Sequence, residues 1–269
     1  MPRYSIIIPA YNEAGRIEQT LHDYAVAFND GELIVVLDNC TDDTAKAVDR
    51  ANVPRLRAIE IKQPIGKGGA VRAGFLLARA PYVGFVDADG STPASEMRRL
   101  FDLLESAQAA IGSRWLPGAS LDPPQPLIRR VASRVFNLLA RVVTRLPFSD
   151  TQCGAKAFRA DILAEVLPSV ETANFAFDVD LLAALARRGA RIVEVPIAWR
   201  DRSTSRLQIV RASLRMAGAL ARLAMRRSSL SWAVPLFDRF VPTSPLTVHE
   251  LRTACSNGVV LRSSDPDEL

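Results

Sequence analysis

The sequence predicts an α/β fold in which a mostly parallel, doubly wound sheet is flanked by helices. Short apolar runs rich in β-branched residues alternate with helical patterns between residues 4 and 112. The fourth run stops abruptly at two carboxylates, and ligands of open α/β sheets bind where strands end at their carboxyl edge. The composition, 48% hydrophobic and 23% charged over 269 residues, suits a globular chain with a sizeable core.

Each predicted strand is a short apolar run that ends at a proline, a polar turn or a charged residue. The first five runs are residues 4–8, 32–37, 56–61, 82–86 and 109–112. Helical patterns follow the first four runs. The first pattern opens at Asn12, and Thr41 or Asp42 caps the second. The others cover 70–80 and 93–106, and four βα units at this spacing predict the parallel sheet.

The second half of the chain is less regular. A proline-rich loop at 122–126 precedes a basic amphipathic helix, and a short strand, a helix ending at Gly189 and a last strand follow. These elements are predicted over residues 128–146, 151–159, 177–188 and 191–199. The domain organisation is then an α/β domain at 1–206, a second basic amphipathic helix at 207–229 and a loosely structured helical or irregular extension at 230–269.

Charge and cysteine content limit the compartment and the partners. The net charge is +5 and the pI about 9.4, and only four of the 34 basic residues are lysine. This arginine preference suits phosphate or anionic lipid, although a GC-rich genome explains it first. The three cysteines show no CxxC pairing, which favours a cytoplasmic location. We expect no signal peptide, no membrane-spanning helix and no nucleic-acid partner.

The most informative motif is VGFVDADGS at 83–91, where Asp87 and Asp89 flank Ala88 directly after an apolar strand. In extended geometry the two carboxylates point the same way. Converging carboxylates suit a hard divalent cation that keeps water and phosphate oxygens as its other ligands. The alternative is a polar turn, in which Asp and Gly are common.

A glycine-rich loop precedes the third helical pattern. Gly66, Gly68 and Gly69 could expose backbone N–H groups to an anion, and Lys67 and Arg72 would add positive charge. Such a turn also occurs where only tight packing is needed. Beside the aspartate pair, contact with a phosphate-containing donor is the better interpretation.

Eight motifs occur in order between Tyr4 and Arg206: IIIPAYNE, VVLDNCTDDT, GKGGAVRAG, VGFVDADGSTP, IGSR, DTQCGAKAFR, FAFDVDLLAALARRG and EVPIAW. Together they resemble the family 2 glycosyltransferases of GT-A fold, and among these the dolichyl- or polyprenyl-phosphate glucosyl- and mannosyltransferases. The resemblance implies a UDP- or GDP-hexose donor, Mg²⁺ or Mn²⁺, inversion at the anomeric carbon and a lipid-phosphate acceptor.

The resemblance also assigns donor-site residues. It implies that the end of the first strand lines the nucleoside pocket and that Asp38 contacts the base. The nucleotide-sugar-binding residues are then Pro9, Ala10, Tyr11, Glu13, Asp38, Gly66, Lys67, Arg72, Asp87, Ala88 and Asp89. Leu37, Asn39 and Cys40 depart from the family's usual DDGS turn, which leaves the nucleotide base open.

Catalytic roles follow from the same resemblance. Asp89 would hold the metal, and Asp87 would touch the ribose or a metal-bound water. Asp150 matches the position of a base or acceptor-orienting carboxylate, and its alternative role is that of a turn residue at a strand start. Asp178 and Asp180 match a helix that borders the site and rank below Asp150.

The acceptor phosphate needs cations and the enzyme needs a membrane surface. The candidate cations are Arg114, Arg130, Arg134, Arg202 and Arg206. The two basic helical segments could lie on anionic lipid at the inner face of the membrane, although packing on the sheet with a solvated basic face is equally compatible. Two rival functions stay open, namely a family 2 transferase with a soluble acceptor and a nucleotide-sugar binding protein without turnover.

Overall fold

A computed structural model of the chain describes residues 1–123, 127–200, 207–226, 228–240 and 246–263. The strands are β1 Tyr4–Ala10, β2 Gly31–Asp38, β3 Leu56–Ile61, β4 Tyr82–Val86, β5 Ala109–Ser113, β6 Ser120–Asp122, β7 Ala155–Arg159, β8 Ile192–Pro196, β9 Ala198–Arg200 and β10 Val259–Ser263. The α-helices are α1 Ile17–Ala27, α2 Thr44–Ala51, α3 Gly66–Leu77, α4 Ala94–Asp102, α5 Leu127–Thr144, α6 Ala160–Val166, α7 Phe177–Arg187, α8 Leu207–Arg226, α9 Val234–Phe240 and α10 Val248–Ser256.

Eight strands form the central sheet in the order β10-β3-β2-β1-β4-β7-β5-β8. Strands β7 and β10 run antiparallel to their neighbours, whereas the remaining neighbour pairs are parallel. The chain moves outward from β1 through β2 to β3 and then returns to the other side of β1 with β4. The predicted mostly parallel, doubly wound sheet is therefore confirmed, and its switch point lies between β1 and β4.

Helices cover both faces of this sheet, which is why its central strands are almost uniformly apolar. On one face the side chains of β1 and β2 pack against α1, α2 and α4, with Leu21, Val48 and Met97 buried there. On the other face α3 and α7 pack over the sheet through Phe75 and Phe177. Both layers hold the carboxyl ends of β1, β2 and β4 in fixed positions.

The first helix begins later than its sequence pattern predicts. Residues 11–16 form a loop rather than a helical turn, because Asn12 has a positive φ of 55° and the following N–H groups bond to the next βα loop. The N–H of Glu13 donates to Thr44 Oγ1 at 2.8 Å, and that of Ala14 donates to the Asp42 carboxylate at 3.2 Å. The loop after β1 is thus fixed at the edge of the crevice.

The predicted final strand at 191–199 is two strands in different sheets. Pro196, which has no N–H, ends β8, and β9 pairs in parallel with β6 in a separate two-stranded sheet. The N–H of Ile197 between them donates to Ser113, and that of Arg200 donates to Ser91. This break brings Trp199 beside the loop that follows β4.

The segment 230–269 differs from the loosely structured tail that its sequence predicts. Within its described part, α9 and α10 form, and β10 adds antiparallel to β3 at the edge of the central sheet. Leu251 of α10 is fully buried against the apolar side chains of β3 and α3. A capping box at Thr247 and Glu250 starts α10. None of the helices in the described part of the chain has the length and apolarity needed to cross a membrane.

Candidate active site

The two aspartates that follow β4 lie at the switch point of the sheet, next to the loop that follows β1. Helix α1 fixes their loop from below: Thr20 Oγ1 donates to the Ala88 carbonyl at 3.0 Å, and the Tyr24 hydroxyl donates to the Thr92 carbonyl at 3.1 Å. Ala88 is buried, so its side chain packs inward and Asp87 and Asp89 border the crevice. This is the position in which doubly wound sheets bind ligands.

The carboxylates of this crevice repel one another. Burial and the nearby Asp87 raise the pKa of Asp89, which accepts a hydrogen bond from the N–H of Ser91 at 2.9 Å. Burial also raises the pKa of Glu13, with further contributions from Asp89 and Asp87, although Arg16 opposes them through a 2.5 Å ion pair. An anionic cluster with too little compensating charge is the environment that a hard divalent cation neutralises.

Asp87 is seated by the neighbouring strand. Its N–H donates to the Gly154 carbonyl at 3.2 Å, and a Cβ at Gly154 would lie 1.9 Å from Asp87 Oδ2. Only glycine leaves room for this carboxylate. The side chains present therefore fit a metal at Asp87 and Asp89, while no group of three or more Asp, Glu, His or Cys side chains in the described residues forms a complete protein cage.

Lys67 faces this cluster from the start of α3. Its Nζ lies 2.6 Å from Asp87 Oδ1 and within 6 Å of the ring centroids of Phe85 and Phe175, at 5.9 and 5.8 Å. Burial disfavours the ammonium ion, but Asp87 and Asp178 outweigh this effect and raise the pKa of Lys67. The side chain is therefore a permanent cation beside the aspartate pair.

The glycines around Lys67 serve packing more than anion binding. Gly66 has a positive φ of 71°, and a Cβ there would lie 2.6 Å from the Ala173 carbonyl oxygen. The same oxygen accepts the N–H of Gly69 at 3.1 Å, which occupies one of the free donors at the start of α3. Of the two roles that the sequence left open for this loop, tight packing is the one that these contacts support.

Replacing Gly68 with alanine is expected to destabilise the protein. The added Cβ would lie 2.4 Å from Phe177 Cβ and 2.9 Å from the Ala173 carbonyl oxygen, so backbone or α7 must move. Overpacking of this kind costs about 1–3 kcal/mol. Thermal unfolding followed by circular dichroism checks this, with Gly15→Ala as the control because nothing lies within 4 Å of a Cβ there. Equal melting temperatures for the two variants would contradict the packing role.

Two predicted donor residues are engaged elsewhere. Asp38 is 7% exposed and accepts the N–H of Ile65 at 2.8 Å, so its carboxylate holds the glycine-rich loop against β2. Burial raises its pKa, while the N–H groups of Ile65 and Gly66 lower it. Arg72 is fully buried and its Nη1 donates to the Leu246 carbonyl at 2.8 Å. Because this contact lies two helical turns beyond the loop, the structure does not bring Arg72 to the crevice.

The remaining residues of the predicted nucleoside pocket lie at the end of β1. Ala10 is buried, Pro9 is partly exposed and Tyr11 is 61% exposed beside the loop that carries Glu13. Ala10 is paired in register with Leu37, so this strand end and Asp38 are neighbours at one edge. The structure therefore brings the predicted pocket residues of β1 and β2 together.

Asp150 forms a buried, two-pronged pair with Arg114. Its Oδ2 accepts Arg114 Nε at 2.7 Å and its Oδ1 accepts Nη2 at 3.0 Å, and the carboxylate is completely buried. Burial would raise the pKa of Asp150, but Arg114 lowers it further, so the carboxylate is a weak base. Of the two predicted roles, this geometry favours the carboxylate that orients a cation.

Arg114 also lies between aromatic rings, and Arg134 of α5 shares one of them. The Arg114 guanidinium carbon is 5.5 Å from the Trp199 ring centroid and 5.9 Å from that of Trp115, and the Arg134 carbon is 4.7 Å from Trp115. Asp87 is close enough to contribute to the raised pKa of Arg114. The arginine pair thus borders the crevice of the aspartates.

The other predicted acceptor cations are less well defined. Arg130 is exposed on α5, one turn before Arg134. Arg202 and Arg206 lie outside the described residues.

Sequence reasoning missed two polar groups beneath the site. Lys156 is fully buried in β7, and its Nζ contacts Asp178 at 2.5 Å and the Cys153 carbonyl at 2.6 Å. Glu194 of β8 accepts the N–H groups of Ser149 and Asp150, at 2.9 and 2.8 Å. A signal existed in each case, because a single charge interrupts a strand that is otherwise apolar.

Comparison with known proteins decides the family. A sequence profile of the family described as Glycosyl transferase family 2 matches residues 5–167, which is more than half of the chain. The chain belongs to glycosyltransferase family 2. The glycosyltransferase is 32% identical over 247 residues to the dolichyl-phosphate beta-glucosyltransferase of Saccharomyces cerevisiae, covering 82% of this chain and 74% of the yeast protein.

Two prokaryotic relatives are similarly close. The glycosyltransferase is 34% identical over 206 residues to the undecaprenyl-phosphate mannosyltransferase of Micrococcus luteus, covering 74% of this chain and 84% of that protein. It is 33% identical over 278 residues to glycosyltransferase AglD of Haloferax volcanii, where the match covers 98% of this chain but only 43% of that protein.

Solved structures agree on the fold. Glucosyl-3-phosphoglycerate synthase from Mycobacterium tuberculosis, in complex with Mn²⁺, UDP-glucose and phosphoglyceric acid, superimposes with a TM-score of 0.68 at 20% identity. The superposition covers 83% of this glycosyltransferase and 80% of the synthase. The predicted GT-A fold is confirmed.

Proposed function

We propose that this glycosyltransferase moves glucose or mannose from a UDP- or GDP-hexose to a polyprenyl or dolichyl phosphate. The observation that carries the proposal is one crevice with two charged sides. The aspartate pair and Lys67 form one side, and Arg114, fixed by Asp150, forms the other. The printed activities of the yeast and Micrococcus relatives support this acceptor class.

On the donor side, the reaction breaks the bond between the sugar and the diphosphate, so negative charge grows on the leaving oxygen. Asp89 and Asp87 would hold a divalent cation, Mg²⁺ or Mn²⁺, which acts as a Lewis acid toward that charge when bound. Lys67, a permanent cation beside Asp87, adds a second compensating charge. The M. tuberculosis synthase, solved with Mn²⁺ and UDP-glucose, supports a cation in this fold.

On the acceptor side, the nucleophile is a phosphate oxygen that already carries negative charge near neutral pH. It therefore needs orientation more than deprotonation, and Arg114 and Arg134 are placed to supply it. The phosphate oxygen attacks the anomeric carbon from the face opposite the diphosphate, a new C–O bond forms, and the nucleoside diphosphate leaves with the bonding electrons. A single displacement of this kind inverts the configuration.

The membrane-facing surface that we propose is the outer face of α5, together with its arginines. Five apolar side chains are 47–70% exposed along this face: Val131, Val135, Leu138, Leu139 and Val142. Their spacing places them on one side of the helix, opposite the buried Asn137 and Ala140. An exposed apolar stripe beside basic residues suits an anionic lipid surface, and the three unpaired cysteines favour its cytoplasmic side.

Helix α8, the other basic segment, is used differently in its described part. Arg222 is 8% exposed and pairs with Glu171 and Asp238, and Arg226 pairs with Glu171 as well. These two arginines therefore face protein carboxylates, so the lipid-facing proposal rests on α5.

Polar substitutions on α5 are expected to release the protein from anionic vesicles. Val135→Ser combined with Leu138→Ser removes two exposed apolar side chains, and vesicle binding should weaken roughly tenfold or more. Co-sedimentation with phosphatidylglycerol vesicles at low salt measures this. Val26→Ser is the control, since Val26 is 81% exposed on α1 away from the arginines. Unchanged binding of the double variant would contradict docking through α5.

Nucleotide release separates the proposed function from its two rivals. The protein is mixed with UDP-glucose or GDP-mannose, Mn²⁺ or Mg²⁺, and either a short polyprenyl phosphate or no acceptor. We expect release of one nucleoside diphosphate that depends on the lipid phosphate. Release that a soluble sugar or phosphate supports equally well would favour a soluble acceptor, and donor binding without release would favour the binding protein.

A further inference from the structure

The segment that covers the start of α3 is held by helix α8. Glu171, the first residue of this segment, accepts Arg226 Nη2 at 2.9 Å and both terminal nitrogens of Arg222 at 3.4 Å. Arg222 is also joined to α9, since its Nε lies 2.9 and 3.1 Å from the two Asp238 oxygens. Two arginines thus converge on one carboxylate at the junction of the C-terminal helices and the α/β domain.

The backbone beside Glu171 is fixed as well. The N–H groups of Glu171 and Thr172 and the Thr172 hydroxyl all donate to Asp180 Oδ2, at 3.2, 3.3 and 2.9 Å. Asp180 is buried on α7, and the Glu171 carbonyl accepts the N–H of Leu246 at 2.9 Å. The segment therefore has little freedom to move relative to α7 and α8.

The other end of the same segment contacts the donor side. The Ala173 carbonyl, two residues after Glu171, accepts the N–H of Gly69 in the first turn of α3. Phe175, which is 50% exposed, presents its ring to Lys67 at 5.8 Å, and Lys67 contacts Asp87 at 2.6 Å. A continuous chain of contacts leads from the arginines of α8 to the cation beside the aspartate pair.

We propose that Glu171 is a positioning residue of the donor site, acting through Ala173 and Phe175 on Lys67. The inference rests on the proposed function, because Lys67 matters here only as a partner of the donor diphosphate. The position of Lys67 depends on the first turn of α3, and the segment 171–175 covers that turn. Helix α8 therefore contributes to donor binding without touching the donor.

A double-mutant cycle with a soluble probe tests this role. Wild type, Glu171→Gln, Lys67→Met and the double variant are titrated calorimetrically with UDP and GDP in the presence of Mn²⁺. For the nucleotide that wild type binds, Glu171→Gln is expected to weaken affinity about three- to tenfold. In the Lys67→Met background the same substitution should change affinity less than about twofold, because its effect passes through Lys67.

The control is Glu165→Gln, which removes a carboxylate from an exposed pair with Arg188 at 3.9 Å and should leave nucleotide affinity unchanged. Should Glu171→Gln not fold, Arg226→Gln, which removes the outer partner of Glu171, takes its place in the cycle. Independent effects of Glu171 and Lys67 that multiply in the double variant would overturn the positioning role. A wild type that binds neither nucleotide would overturn the proposed function and this inference together.

Discussion

Asp89→Asn is expected to lower the rate of hexose transfer by about three orders of magnitude, because it removes the charge that would hold the divalent cation. Loss of that charge forfeits several kcal/mol of stabilisation of the leaving diphosphate, and about 4 kcal/mol corresponds to this factor. The substitution preserves shape, and asparagine can still accept the N–H of Ser91. Folding should therefore be retained.

Steady-state kinetics with saturating donor measure this effect. Asp43→Asn is the matched control, since Asp43 is an exposed carboxylate in the second βα loop that pairs only with its helix neighbour Lys46 in the contacts described. A transfer rate for Asp89→Asn within tenfold of wild type would contradict a metal-holding role at this position. Its effect should also be larger than that of raising or lowering the Mn²⁺ concentration around saturation.

Asp150→Asn is expected to destabilise the protein by about 3–5 kcal/mol, because it leaves the Arg114 guanidinium buried without its counter-charge. The Arg114 side chain is 11% exposed and Asp150 is completely buried, so water cannot replace the lost carboxylate. For a chain of this size the melting temperature should fall on the order of 10 °C. Asp161→Asn, which breaks an exposed pair with Arg159, should change it by about 0–1 kcal/mol.

The same pair gives the stability a defined pH dependence. Because the pKa of Asp150 is lowered in the folded protein, its stabilising contribution is present above the unfolded pKa, about 4, and is lost as pH falls through the folded value. The difference in melting temperature between wild type and Asp150→Asn should accordingly shrink below about pH 4. A general base would behave differently: Asp150→Asn would then leave the melting temperature unchanged and alter the pH profile of kcat.

The sequence predicted the sheet and the donor edge well because both depend on local patterns. An apolar run that ends in a charge is visible in β4, and Asp87 and Asp89 follow directly from it. The predicted strands agree with the structure within a few residues. The order of strands β1 to β4 follows from the spacing of the βα units, since right-handed crossovers leave few alternatives.

The contacts across the chain could not be predicted from local patterns. The partner of Arg114 is 36 residues away, and the partners of Glu171 lie 51 and 55 residues away on α8. Arg72 shows the reverse difficulty, because a basic residue near a glycine-rich loop suggests an anion contact until its burial under Leu246 is known. The described part of segment 230–269 is ordered for a similar reason, since β10 acquires its partner only when β3 forms a sheet edge.

Composition held one further signal. Only four lysines occur among 34 basic residues, and two of them, Lys67 and Lys156, lie buried beneath the aspartate pair. Each ammonium is close to the Phe85 ring, at 5.9 and 5.3 Å, and pairs with a carboxylate. A compact ammonium fits between a ring and a carboxylate where the longer guanidinium would not, so the rare lysines indicated the site.

The most direct test of the central claim is the transfer of radiolabelled hexose from its nucleotide sugar into the organic phase with a short polyprenyl phosphate. We expect label in the organic phase only with the lipid phosphate, a divalent cation and an intact Asp89, and a product of inverted anomeric configuration. Label that stays in the aqueous phase with UDP-glucose and GDP-mannose alike, despite donor binding, would contradict hexose transfer to polyprenyl phosphate.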